Sequence, residues 1–295
     1  MNRAILAALV AAMGQSCMVR RTAIAPPADI RVSMAPERVA RGRYIFENLA
    51  DCDGCHSERG PAVRAGRGKG AALLAEEGVP GSIVASNITP DPDTGLGRWT
   101  DGEKIRAIRE GISRNGRALF PVMPYTNYRR MSDQDVESLV AYMNTLDPTR
   151  NSLPSSRVNP IVSAYVKSWP RPAGSVAPPD RSDPVRYGEY LATMASCVNC
   201  HSPMVRGRPV RAKLFAGGRF FGNGSDRVRS PNITPDEATG IGGWSEQDFV
   251  NRFRYKRSVS GRSGPMPWLG LSRLAPEDLR AIYAYLRTVP AVRSK

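Results

Sequence analysis

Histidine is the scarcest resource in this chain: its 295 residues include only His56 and His201. That excludes a polyhistidine metal cluster and bis-histidine ligation of two separate irons. Five cysteines are far too few for a disulfide-built scaffold. Long apolar runs are missing too. The longest, Ala4 to Met13, follows Asn2-Arg3 and has signal-peptide dimensions, too short to span a bilayer. Acid is in short supply: 27 Asp and Glu face 42 Lys and Arg, a formal net charge of +15. With 41% hydrophobic and 23% charged residues the composition is that of a globular chain of about two domains.

Both histidines end the same motif. Cys52-Asp53-Gly54-Cys55-His56 recurs as Cys197-Val198-Asn199-Cys200-His201. C-x-x-C-H is the attachment signature of c-type haem. Two thiols one helical turn apart can each add to a porphyrin vinyl group, and the next residue sets its imidazole under the iron. Half of a zinc ribbon and a dithiol redox pair are the competing readings. The wide separation of the two pairs and the histidine after each favour covalent haem, one per motif.

The motif is part of a longer repeat. Cys52 and Cys197 differ by 145, as do Asn87 and Asn232, and Trp99 and Trp244; Asn-Ile-Thr-Pro-Asp is identical in both copies. Past a two-residue deletion the offset becomes 143, relating Met123 to Met266 and Tyr142 to Tyr285. Apolar spacing predicts helices over Val39–Leu49, after a Thr100–Glu103 capping box with Ile105, Ile108 and Ile112 inward, and after Ser132 with Val136, Leu139, Val140 and Met143 inward. In the second copy Ser245–Asp248 replaces the capping box, and Pro276 opens a last helix burying Leu279, Ile282 and Leu286. The expected architecture is mainly α: a leader at 1–25, a haem domain at 36–150, a Pro-rich linker at 151–182 and a second haem domain at 183–292. The prolines predict a stiff linker, and Ile161, Val162, Tyr165 and Trp169 predict that it packs along a domain surface. The Arg/Gly stretch within residues 59–82 reads as a wrapping surface loop rather than an RNA-binding segment.

With no histidine to spare, a closed iron site takes methionine, lysine or tyrosine as its sixth ligand. Met123 and Met266 are repeat partners, each followed by proline, and a braced loop can hold a thioether over iron. Met131 and Met143 are rivals in the first copy; Met194 and Met204 in the second lie too near the attachment motif. Trp99 and Trp244 are candidates either for a hydrogen bond to a haem propionate or for plain packing at a helix start. Gly14-Gln15-Ser16-Cys17 resembles a lipobox, making Cys17 a candidate lipidation site; Ala23-Ile24-Ala25 is the competing cleavage site. An exported chain meets acidic proteins and anionic headgroups, so the basicity does not point to nucleic acid.

The two C-x-x-C-H motifs, the Asn-Ile-Thr-Pro-Asp…Thr-Gly-x-Gly-x-Trp segments and the Met-Pro loops together resemble the cytochrome c subunits of bacterial periplasmic dehydrogenases of the alcohol and gluconate type. The resemblance covers both copies. It implies two tandem class I cytochrome c domains and a protein that takes electrons from a dehydrogenase subunit to a downstream acceptor of the respiratory chain. It also implies a periplasmic location; the lipobox at Cys17, and not the resemblance, makes a lipid anchor the expected membrane attachment, with a partner protein as the other route. Two haem motifs stand where those subunits usually carry three, which leaves the substrate class and direct quinone chemistry open. The alternative is a dihaem redox enzyme, of peroxidase or thiosulfate-oxidising type, with one open or switchable haem. A peroxidase needs acid–base groups over its iron, and a third histidine is absent.

Overall fold

The structure is a computed structural model that describes residues 25–57, 67–73, 81–222, 227–258 and 265–294. The leader up to Ile24, with Cys17, lies outside the described residues, as does most of the loop around Arg59-Gly60-Pro61. Among the described residues no helix is long and apolar enough to cross a membrane.

Each half is built on a crossing of two helices. In the first half α1 (Pro36–Tyr44) packs on α5 (Asp133–Met143), and in the second α7 (Pro184–Met194) packs on α11 (Pro276–Leu286). Glycine permits both crossings: a Cβ at Gly42 would lie 1.8 Å from the Ser138 carbonyl oxygen, and one at Gly188 1.8 Å from that of Ala281. Only a residue without a side chain lets the backbones approach so closely. The inward stripes are those the spacing predicts, with Val136, Leu139, Val140, Met143, Leu279, Ile282 and Leu286 all buried. Thr100 and Glu103 form a reciprocal capping box at the start of α3 (Asp101–Glu110), and Ser245 and Asp248 do the same for α9 (Glu246–Ser258).

The first expected helix does not run through as an α-helix. After Tyr44 it widens into a π-turn, Ile45–Leu49, before the attachment helix α2 (Cys52–His56). Gly42 lies ten residues before Cys52, whereas Gly188 lies nine before Cys197. The π-turn absorbs that extra residue, so the crossing glycine and the motif keep their relation to each other. In the second half α7 leads to α8 (Cys197–Cys200) with no such widening.

Small sheets sit beside each attachment helix. In the first half β1 (Ala71–Leu73) and β2 (Gly81–Ala85) form an antiparallel pair, to which β3 (Arg157–Val158) adds a third strand from beyond the domain. The second half has a hairpin, β4 (Met204–Val205) with β5 (Arg208–Pro209), and a ribbon, β6 (Phe220–Phe221) with β7 (Val228–Arg229). The connecting segment is less uniformly extended than its prolines suggest. Asn159 caps, and Pro160 opens, a short helix α6 (Pro160–Val166), because proline at the first helical position has no amide to leave unpaired. Trp169 is buried there, while Ile161 remains 80% exposed.

Candidate functional site

The two attachment motifs share one local geometry. Asp51 and Ser196, the residues preceding the first cysteine, take the left-handed conformation, with φ of 47° and 56°. This turns the chain sharply into α2 and α8 and sets each cysteine pair one helical turn apart. His56 Nδ1 lies 2.7 Å from the Ser86 carbonyl oxygen, and His201 Nδ1 lies 2.9 Å from that of Pro231. A carbonyl only accepts, so each Nδ1 carries the proton and each Nε2 keeps a lone pair for a metal. Burial pushes both imidazoles below their ordinary pKa, against the opposing effect of the carbonyl bond, and so favours the neutral ring that ligation needs.

The carbonyls are held in place by the segment that follows them. Asn87 Nδ2 donates to Thr94 Oγ1 (3.0 Å) and to the Thr149 carbonyl (2.8 Å), while its Oδ1 accepts from the amide and hydroxyl of Thr89. Asn232 repeats every bond with Thr239, Val292 and Thr234. Asp91 closes the turn by accepting from the Thr94 amide and hydroxyl, and Asp236 does so from Thr239. The recurring Asn-Ile-Thr-Pro-Asp sequence is therefore a turn that aims a carbonyl at the histidine, with its asparagine engaged inside the turn.

Met123 and Met266 are half-buried in their Pro-braced loops and pack against the hydrophobic core, whereas the rivals Met131, Met143 and Met194 are buried core residues. Two residues after Met123, the Tyr125 hydroxyl is buried without a hydrogen-bond partner among the described residues. An unpaired buried hydroxyl costs about 1–3 kcal/mol, and a partner supplied by a bound group removes that cost. The four motif cysteines are free of disulfides. Burial pushes the Cys197 thiol up to about 12, the reverse of what a dithiol nucleophile requires. Among the described residues no cluster of three or more His, Cys, Asp or Glu side chains could hold a metal ion. The residues fit covalent haem and not zinc. Trp99 is half-buried and Trp244 is 37% exposed, so neither is a deep packing residue.

The halves meet through a near-symmetric set of bonds that the repeat arithmetic did not reveal. Tyr44 Oη donates to Asp278 (2.6 Å) and accepts from the Ala275 amide (3.0 Å). Tyr190 Oη donates to Asp135 (2.7 Å) and accepts from the Ser132 amide (3.2 Å). Each tyrosine thus caps the last helix of the other domain. Burial pushes both hydroxyls well above the ordinary phenol value, with help from the facing carboxylates. Beside them Asn127 Nδ2 donates to Ser196 Oγ (3.1 Å), and a Cβ at Gly270 would lie 2.9 Å from the Asn48 carbonyl oxygen. The helices after the two Met-Pro loops, α4 (Tyr125–Tyr128) and α10 (Trp268–Leu271), accordingly contact the helical lead-in to the opposite motif. The signal was present in the sequence as Tyr44 with Tyr190 and Asp135 with Asp278; the aspartates keep the 143 offset of the later repeat, but the tyrosine offset of 146 matches neither 145 nor 143.

Two mainly helical domains in tandem, each with a C-x-x-C-H helix and a carbonyl-oriented histidine, define a dihaem c-type cytochrome architecture. The sequence agrees: residues 39–147 and 185–290 each match Cytochrome c, and the chain belongs to that family. It carries two covalently bound haem c groups, one in each domain. It is 31% identical over 266 residues to a "Diheme cytochrome c-type" protein of Cereibacter sphaeroides, covering 86% of each chain. It is also 31% identical to the cytochrome c subunit of a quinone alcohol dehydrogenase of Gluconobacter oxydans, covering 86% of this chain and 55% of that one. Identity is 32% to a nicotinate dehydrogenase subunit of Pseudomonas putida, covering 91% of this chain and 23% of that one. The chain thus spans about half or less of the length of these two dehydrogenase subunits.

Proposed function

We propose that this chain is an exported carrier of single electrons, taking them from a dehydrogenase catalytic subunit and delivering them to an acceptor of the respiratory chain. In this reading Cys52, Cys55, Cys197 and Cys200 hold the haems, His56 and His201 are the proximal ligands, and Met123 and Met266 are the distal ones. Bound haem supplies an iron centre that changes oxidation state by one electron. The protein's own part is to fix ligands, exclude water and hold the two centres at a constant separation. The observation that carries the reading is the reciprocal Tyr44–Asp278 and Tyr190–Asp135 pairing, which locks the two motif-bearing ends against each other. A neutral thioether and a neutral imidazole would favour the reduced state of a bound haem iron, which suits an acceptor of electrons. Trp99 and Trp244 are assigned as indole donors at the haem edge. The periplasmic setting and a lipid on Cys17 belong to the same proposal and rest on residues 1–25 of the sequence.

The test is replacement of one methionine at a time. Met123→Ala and Met266→Ala should each lower the potential of one haem and let carbon monoxide bind that reduced iron, leaving the other unchanged. Rapid carbon monoxide binding to the unmodified protein, or an unaltered spectrum in either variant, would refute the assignment.

A further inference from the structure

In sequence, the segments that follow the two attachment motifs differ in charge balance. Between His56 and Asp91 the sequence holds Arg59, Arg64, Arg67 and Lys69 against Glu58, Glu76 and Glu77. Between His201 and Asp236 it holds seven Arg and Lys residues against Asp226 alone. Of these, Arg206, Arg208, Arg211, Lys213 and Arg229 are exposed, and none forms an ion pair with a described carboxylate. Arg206 sits at the hairpin tip with φ of 50°, a conformation costly for a side chain of that size. Large apolar side chains stand exposed among the cations: Val205 (62%), Phe220 (44%) and Val228 (49%).

This surface is joined directly to the second motif. The Gly217 amide donates to the His201 carbonyl (2.7 Å), Arg219 Nη1 donates to the Asn199 carbonyl (2.7 Å), and the Pro231 carbonyl holds the His201 ring. In the first domain the corresponding pair β1–β2 is covered along β2 by β3, with Ser156 Oγ accepting from the Val84 amide. Among the described residues β7 pairs only with β6.

We propose that the hairpin β4–β5, the 3-10 turn Arg211–Lys213 and the ribbon β6–β7 form the docking face for an acidic redox protein, so that electrons pass between that partner and this chain through the second domain. This rests on the electron-carrier reading above. These exposed cations, of which Arg208 stacks over the Trp169 ring at 4.8 Å, have no described carboxylate partner, so they complement a carboxylate-rich partner, speed its encounter and fix its orientation. The exposed apolar side chains among them supply the contact area that charge alone does not give. The face is tied to the attachment helix through three backbone carbonyls. A protein docked on it is brought next to a redox centre, an arrangement that serves electron exchange and gives nothing to a lipid surface.

The experiment uses the haem-loaded full chain and flavodoxin as an acidic redox probe. Binding is followed by titration calorimetry with oxidised flavodoxin, and electron transfer by stopped flow with the reduced form, each at several ionic strengths. The charge-reversed variant R211E/K213E/R229E is compared with R98E/R117E/R150E, which makes the same charge change on exposed cations of the first domain. The docking-face variant should bind and react ~10-fold or more slowly or weakly at low salt, with a flattened salt dependence, while the control changes by less than ~3-fold. Equal losses in both variants would show that net charge and not this face is responsible, and no loss in either would also overturn the proposal. Loss of sedimentation with phosphatidylglycerol vesicles in the docking-face variant, with flavodoxin binding intact, would assign the face to a membrane instead. A neutral photoreduced flavin should reduce all three proteins equally. If it fails to reduce the unmodified chain, the electron-carrier reading falls, while the calorimetry still judges the docking face.

Discussion

The two domains keep the same parts at the histidine and differ in what surrounds it. In the first, Arg67 lies between Glu47 in the π-turn and Asp53 in the attachment helix, pairing with both, and the Tyr142 hydroxyl donates to Glu47 (2.7 Å). The Gly68 amide donates to Ser57 Oγ, and in the second domain the Phe215 amide donates to Ser202 Oγ, so Leu214 is the counterpart of Arg67. Val198 stands where Asp53 does, and Tyr285, the partner of Tyr142, stacks edge-on to Phe215 at 6.0 Å. One copy therefore braces its motif with a nearly buried ionic network and the other with an apolar wedge. The comparison teaches that the histidine carbonyl, the left-handed residue and the Asn–Thr turn are the common requirements, and that the bracing can be built either way.

That contrast can be broken most severely at Arg67. Arg67→Leu gives the first domain the residue of the second but leaves Glu47 and Asp53 facing each other with one fewer cation. Breaking such a nearly buried pair costs about 3 kcal/mol or more. Denaturant unfolding followed at each haem should show the first domain destabilised and the second untouched. Equal behaviour of both domains would contradict the assigned network.

A smaller loss is expected where the domains are alike. Tyr44→Phe and Tyr190→Phe each remove a hydrogen bond to a carboxylate and an acceptor for an amide, at about 1.5 kcal/mol apiece. Because the two bonds lie on one interface, the double variant should depart from additivity. The pH dependence follows from the raised phenol values. Protonated tyrosine is the donor, so this stabilisation is complete below the ordinary value of 10.0 and fades as pH rises toward the higher folded values. Alkaline titration of the Phe variants should lack that component.

The smallest effect should be equal in both copies. Hydrogen bonds from Thr94 hold the Asp91 carboxyl below its ordinary value, and those from Thr239 do the same for Asp236. Their contribution is present above the ordinary 3.8 and lost as pH falls through the lowered folded value. Thr94→Val and Thr239→Val should shift the acid transition of each domain by the same small amount, read by haem absorbance. Unequal shifts would mean that the two turns are not equivalent.

Much of this was legible in the sequence because covalent haem demands a contiguous motif. The cysteines, the histidines, the helix caps at Thr100, Ser132 and Ser245, and the inward faces of α5 and α11 all follow from local pattern. What escaped depended on register or on backbone atoms. The carbonyls of Ser86 and Pro231 leave no trace in residue type. The π-turn appears only as a one-residue change in the spacing between a glycine and a cysteine. The interdomain tyrosines were hidden by the same shift, since their offset matches neither half of the repeat. In the linker, proline signalled stiffness but not the helix that Asn159 and Pro160 begin.

The most direct measurement is the intact mass of the purified chain and of its C52A/C55A and C197A/C200A variants. The account predicts two haems on the unmodified polypeptide and one on each variant. A native mass with no added porphyrin, or with only one, would contradict it.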